Sequence, residues 1–479
     1  MDYLHTGKQE DLAKTVLQAV QRLRGSYALG VVSMDNTQEI VAARRGNPLV
    51  IGIGEGENMI ASDITAIINR TKRYIILDDN EVAIVRPDSV VVMNEFGDTV
   101  EKEIMTVTWD MSAAEKGGYQ HFMLKEIMEQ PKAVADTVKP RIKNDAVVFE
   151  DNGLTDERLR EIEHIHIIGC GSALHAGMVG KRVIEAMCRI RCTAEVASEF
   201  RYENPIIGKK DMCIVISQSG ETLDSMAALR EAKKRGARVL SIVNVVGSSI
   251  ARESDDVLYT WAGPEIAVAT TKAYSTQMAV LHLLGLYFGD VLGTVDYETY
   301  SAMVRGLEAL PGQMEQVLSH TEDIRAAAKW LAQEEDVFFI GRNLDYALSL
   351  EGSLKLKEIS YIHSEAYASG ELKHGTISLI RQGTPVIAVA AYLPLLDKAV
   401  SNVVEVQARG ARVLALTTEA GAEALHKRVD TVLTVPEAEA MLLPQLGVIP
   451  LQLLSYYTAL ERGCDIDKPR NLAKSVTVE

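Results

Sequence analysis

One order of segments occurs twice in this chain, at an offset of about 170 residues, and that repetition restricts the fold more than any other feature. HIHIIGCG from residue 164 is echoed by DVFFIGRN at 336–343. VASEFRYEN at 196–204 is echoed by HSEAYASGELKH at 363–374, and MCIVISQ from 212 by PVIAVAA at 385–391. The apolar runs HIHIIG (164–169), MCIVIS (212–217) and RVLSIVN (238–244) are short and β-rich, as in a parallel sheet buried on both faces. Helical stretches at 221–235 and 275–287 alternate with them. Two tandem α/β domains of one type are predicted, with parallel sheets flanked by helices. Chance similarity between two α/β units is the weaker reading, because the echoes keep their order.

Residues 1–105 have a different texture. A helix over 10–24 places Leu12, Val16, Val20 and Leu23 on one stripe and stops at Gly25. Seven short strand-like runs follow: SYALGVVS, EIVAARRG, PLVIGIG, ENMIASD, RYIILDD, EVAIVRP and SVVVMNE. Turn-forming residues separate them at short intervals, which predicts an antiparallel α+β domain. Residues 106–160 are mixed and charged, contain Pro131 and Pro140, and fit a connector ending in a helix. The predicted layout is 1–105, a linker at 106–160, α/β domains at 161–300 and 301–465, and a tail at 466–479.

The length of 479 residues suits about three domains. A net charge of −16 with no long basic run excludes backbone binding to nucleic acid. The longest apolar runs, such as VIAVAAYLPLL at 386–396, fall short of the ~20 residues a spanning helix needs, so no membrane partner is expected. The N-terminus MDYLHTGKQEDL does not read as a signal peptide. Five sparse cysteines lack zinc spacing, and reduced thiols in the cytoplasm are expected, with no metal and no cofactor.

Three segments carry chemistry. In ISQSGET a buried strand runs into Ser217, Gln218, Ser219, Gly220 and Thr222, and a helix follows from Leu223. The unpaired amides and dipole of that helix attract an anion, and Gly220 lets the backbone approach it. An ordinary N-cap would use one hydroxyl, and three hydroxyls with a Gln and a Gly exceed that. The turn GCGSALHAG at 169–177 also leads from strand to helix, yet Leu174 stands where a dinucleotide fingerprint needs glycine. Either a tight turn or a ligand contact fits it.

Glu351, Lys355 and Glu358 fall at i, i+4 and i+7 on one helix face, followed by a segment dense in His363, Glu365, Glu371, Lys373 and His374. A solvent-facing ladder of ion pairs is the alternative for that face. Lys474 lies in the tail NLAKSVTVE. A Schiff-base amine needs a lowered pKa and access to a carbonyl, and from this stretch alone a surface lysine is the simpler reading.

Together and in this order, ISQSGET, VASEFRY, LEGSLKLKEISYIHSEAYASGELKHG and NLAKSVTVE closely resemble the glutamine–fructose-6-phosphate aminotransferase (isomerising) family. The resemblance covers essentially the whole chain. It implies two sugar-isomerase (SIS) domains behind an N-terminal-nucleophile glutaminase domain. It also implies conversion of fructose 6-phosphate, with ammonia from glutamine, to glucosamine 6-phosphate. Carried over by motif, Ser217, Gln218, Ser219 and Thr222 would hold the sugar phosphate. Lys474 would form the Schiff base, Glu358 would move the proton between the first two sugar carbons, and Lys355 would assist it. His374 would serve ring opening, from a neighbouring subunit, which implies a homodimer. Val268, Thr270 and Ala473 would line the sugar.

Two departures stand out. Ala173 occupies a position where the family carries a hydroxyl, so that sugar contact is either missing or supplied by Ser172. Residues 1–105 resemble only the second half of the glutaminase domain, and the first cysteine is Cys170. The chain by itself is therefore expected not to hydrolyse glutamine, and strands 26–93 to lack a partner sheet, lowering stability or promoting self-association. Other functions compatible with the motifs are a related SIS isomerase or amino-sugar-phosphate deaminase and a non-catalytic sugar-phosphate regulator.

Overall fold

The structure, a computed structural model, describes residues 12–107, 115–149 and 153–474. The expectations for residues 1–11 and 475–479 lie outside that range. Among the described residues two compact units are present, one comprising the chain up to Glu115 with Glu221–Leu223, the other Lys116–Gly220 with Asp224–Lys474.

In the first unit the helix Leu12–Val20 is followed by strands at all seven of the apolar runs. Two antiparallel sheets result. One orders Tyr27–Ser33, Asn36–Arg45, Val82–Val85, Val90–Met93 and Thr99–Val100. The other orders Asn58–Ala61, Val50–Ile53, Arg73–Ile76 and Met105–Thr106. Leu12, Val16 and Val20 pack with Val41, Ala43 and Val82, while Ala42, Ile51, Ile75 and Ala83 form a second apolar cluster. The alternation of a strand's faces explains the split, since Ala42 faces one cluster and Val41 and Ala43 the other.

The second unit holds two five-stranded parallel sheets of one topology. In the first, Arg191–Val196 is the edge, then His164–Gly169, Asp211–Ser217, Arg238–Val243 and Asp256–Tyr259. In the second the order is His363–Ala368, Asp336–Gly341, Pro385–Val389, Arg412–Thr418 and Thr431–Val435. The chain steps outward in one direction after the first strand and in the other after the second. This places a crevice beyond the carboxyl ends of the first and third strands, where ligands bind in open α/β sheets.

The repeats agree even in backbone detail. The helices Ser172–Cys188 and Leu344–Ser360 each follow a residue of positive φ, Gly171 at 53° and Asn343 at 54°. Each ends on a left-handed residue, Arg189 at 56° and Tyr361 at 61°.

The main core runs across both repeats. Its centre is formed by Lys272–Leu292 and Leu443–Glu461, helices buried on nearly every side. Among the described residues no helix is long and apolar enough to cross a membrane. Residues 106–160, expected as a connector ending in a helix, do end in the helix Asp156–Arg160, and their described part also carries the helices Phe122–Met128 and Gln130–Val138. Met123, Ile127, Val134 and Val138 enter the main core, so much of this segment is structural. Pro131 sits in the first turn of its helix, where its missing N–H costs nothing.

Candidate active site

The strand Asp211–Ser217 delivers ISQSGET to the crevice. Ser217 is buried, and its Oγ accepts a hydrogen bond from Gly220 N at 3.0 Å. Gly220 has a φ of 67°, and a Cβ there would lie 2.0 Å from Ser248 Oγ. Both the conformation and the space therefore demand glycine. The turn is pinned from outside: Asn244 N donates to Gln218 O at 3.1 Å, and Ile250 N donates to Gly220 O at 3.0 Å. The Asn244 side chain donates to Gly263 O at 2.8 Å and accepts from Thr260 Oγ1 at 2.9 Å, fixing the turn against the segment that leads to Glu265. Gln218, Ser219 and Thr222 are partly exposed at the start of the helix Leu223–Lys234, positioned to meet an anion.

The ladder on Leu344–Ser360 is not solvent-facing. Glu351 is fully buried and Lys355 is 1% exposed. Lys355 Nζ lies 2.6 Å from Glu358 Oε2 and 3.6 Å from Glu351 Oε1. Burial lowers the Lys355 pKa, but Glu358 and Glu351 outweigh it and hold the amine above its ordinary value. Ser172 Oγ donates to Glu351 Oε1 at 2.8 Å, and His175 Nδ1 contacts Oε2 at 2.8 Å. Burial raises the Glu351 pKa, yet Lys355, His175 and Ser172 bring it below the ordinary carboxylate value. Ser172 and Glu351 thus join the first helices of the two repeats.

Lys474 is not a free surface amine. Its Nζ donates to Glu265 Oε2 at 2.6 Å and to Ala267 O at 2.8 Å. Glu265 is fully buried and also accepts from Thr270 Oγ1 and from the amides of Thr271 and Ala273. Burial raises its pKa, but Lys474 and these donors pull it down to about 2. Glu126, on Phe122–Met128, accepts from the amides of Ile266 and Ala267. Burial and the nearby Glu265 charge push its pKa up to about 8, so it holds a proton at neutral pH. Glu265 also acts electrostatically on Lys355, which couples the Lys474 pair to the Lys355–Glu358 pair.

The sugar-lining candidates fall near this network. Val268 N donates to Asp467 O at 3.0 Å, so the 265–270 segment and the C-terminal tail run together. Ala473 is exposed beside Lys474. His374 is exposed at the end of the short helix Glu371–His374, and its side chain makes no hydrogen bond among the described residues.

The SIS domain family model matches residues 158–287 and 330–462, the two parallel-sheet repeats. The glutamine–fructose-6-phosphate aminotransferase (isomerizing) of Caldanaerobacter subterraneus is 52% identical over 480 residues, covering 100% of this chain and 78% of that protein. The chain belongs to this aminotransferase family. Its Thermus thermophilus member is 44% identical, over 98% of this chain and 77% of its own length. Among solved structures, the C-terminal domain of the Francisella tularensis glucosamine–fructose-6-phosphate aminotransferase covers 74% of this chain and 100% of its own. It aligns with a TM-score of 0.71 at 37% identity. A Thermotoga maritima glucosamine-6-phosphate deaminase, at 24% identity and a TM-score of 0.57 over 74% of this chain and 99% of its own, shares the fold.

Within this family fold, Glu265, Glu126, His175 and Asn244 are the site residues that sequence reasoning missed. Each is an isolated polar residue in an apolar or charged stretch. Only burial against a partner from a distant segment marks it out.

Proposed function

We propose that the chain aminates fructose 6-phosphate and isomerises the product to glucosamine 6-phosphate, with water as by-product. The observation that carries this is the Lys474 amine, held on a buried carboxylate inside the charge network that contains Lys355 and Glu358. A lysine serving only solubility has no need of such a partner.

In this reading the phosphate docks on the amides of Leu223–Lys234 with Ser217, Gln218, Ser219 and Thr222. Val268, Thr270 and Ala473 line the sugar, and Ser172 replaces the hydroxyl absent at Ala173. Lys474 sheds its proton to solvent and adds to the C2 carbonyl, and water leaves as the iminium forms. Ammonia then displaces the lysine at C2. Glu358, positioned by Lys355, removes a proton from C1 and returns one to C2, giving the amino aldose. The net change is fructose 6-phosphate plus ammonia to glucosamine 6-phosphate plus water.

His374 opens the sugar ring in the site of a second copy, so the working unit is a homodimer. Its exposure supports this. Mixed dimers of H374A and K474A chains should then recover activity that neither variant has alone. If mixing restores nothing, His374 acts within its own chain or not at all. The five cysteines, all unpaired, suit the reducing cytoplasm.

The test is product formation by the 479-residue polypeptide from fructose 6-phosphate, with ammonia or with glutamine as nitrogen source. Glucosamine 6-phosphate is expected from ammonia, together with borohydride trapping of the sugar on wild-type protein but not on K474A. If neither glucosamine 6-phosphate nor glucose 6-phosphate forms, the chain binds sugar phosphate without turning it over and the proposal falls.

A further inference from the structure

The first sheet carries a cluster of donors at its other end, which the proposed reaction does not use. His164 and His166 are two apart on one strand and therefore face the same side. Asp211 opens the neighbouring strand and pairs in register with His164. One ligand atom from each of His164, His166 and Asp211 lies within 4.8 Å of the others. The two imidazole rings are 4.1 Å apart between centroids.

Two features distinguish this group from a chance cluster. His166 is only 5% exposed, and its Nε2 is buried with no hydrogen-bond partner, 3.9 Å from Asp211 Oδ1. His164 Nε2 is likewise buried and unpartnered. Leaving two such nitrogens unpaired is costly unless something occupies the space between them. Behind His166, Glu195 Oε1 sits 2.7 Å from Nδ1, with Thr193 Oγ1 at 3.1 Å. A carboxylate on Nδ1 selects the tautomer whose Nε2 lone pair is free, the arrangement found behind histidines that bind metal. Gly208 N donates to Asp211 Oδ2 at 2.6 Å and leaves Oδ1 facing His166. Arg191 brings one opposing positive charge to the rim, against the carboxylates of Asp211 and Glu195.

We propose that His164 Nε2, His166 Nε2 and Asp211 Oδ1 form a binding site for one Zn²⁺ ion, with Glu195 orienting His166 and solvent completing the coordination. Two imidazoles with one carboxylate suit zinc and its neighbours, whereas Mg²⁺ and Ca²⁺ favour all-oxygen sites. Ligands at about 2.0–2.1 Å in a tetrahedron require donors about 3.3 Å apart. The His166 and Asp211 donors therefore close by roughly 0.6 Å from their 3.9 Å separation, and no pair by more than about 1.5 Å from within 4.8 Å, a side-chain adjustment. The cluster lies about five residues, or ~16 Å, along the strand from the crevice. The ion would clamp the first strand to the third at the far end of the sheet and need take no part in turnover.

The test uses the full 479-residue chain without a histidine tag, stripped by chelator and titrated with Co²⁺ by visible absorbance, then displaced by Zn²⁺. One ion per chain is expected, with a rise in melting temperature on adding Zn²⁺. H164Q and D211N should lose both the absorbance and the thermal shift. E195Q should bind about 10–100-fold more weakly, as loss of an orienting carboxylate does. His164 is only partly buried, so H164Q should fold, and far-UV circular dichroism of the metal-free variants checks this. No ion bound to the wild-type chain, or equal binding and thermal shift in folded H164Q and D211N, would overturn the assignment.

Discussion

Replacing Glu126 with Gln should remove a proton-linked loss of stability that the native chain carries above pH 5. The folded protein holds a proton on Glu126 up to about pH 8, because burial and the Glu265 charge disfavour the carboxylate. The unfolded chain releases that proton near the ordinary value of 4.5. Between these values the folded state binds one proton more than the unfolded, so stability falls as pH rises, by about 1.4 kcal/mol per pH unit. From pH 6 to 8 the loss amounts to about 2 kcal/mol, since the folded group begins to ionise near the upper limit. Glu265 has the opposite sign: its folded pKa is depressed, so its contribution is lost only on acidification from 4.5 towards about 2 and leaves this window flat. Gln keeps an oxygen to accept from Ile266 and Ala267 and has no proton to release. Urea unfolding of both proteins at several pH values between 6 and 8 measures the difference. The advantage of E126Q over wild type should widen with pH by about 2 kcal/mol. Parallel curves would mean that Glu126 is ionised in the folded protein and that the charge balance around Lys474 was misread.

Two further substitutions test the crevice itself. G220A forces a side chain into a left-handed position and against Ser248 Oγ, a strain of about 1–3 kcal/mol. Steady-state kinetics should show KM for fructose 6-phosphate rising about tenfold or more, and an unchanged KM would remove the phosphate from this turn. E358Q keeps the shape of the side chain but cannot accept the C1 proton. Its kcat should fall about 10²–10⁴-fold with KM little altered, and near-normal turnover would assign the proton transfer elsewhere.

The repeat, the seven strands of the first unit and the strand-to-helix turn at Gly220 were legible in the sequence because each rests on a local pattern. A run of alternating or continuous apolar residues specifies a strand wherever it lies. The Gly220 turn is equally local, its φ requirement being a property of one residue. The helix Phe122–Met128 was not legible: its charged residues read as a connector, and only the buried position of Glu126 against the Ile266 and Ala267 amides gives it a role.

By itself, then, the sequence determined two parallel α/β repeats, a glycine turn between strand and helix, and a helix with acid and base on one face. The tertiary structure decided whether those charges face water or each other. Glu351 and Lys355 on their own helix are equally consistent with a solvated ladder. Their burial against Ser172 and His175, about 180 residues away, turns the ladder into an internal network. Lys474 differs in the same way, because the partner that makes it more than a surface amine is 209 residues distant in Glu265. Desolvation and long-range pairing set the chemistry of these groups, and neither is encoded in any short window of the chain.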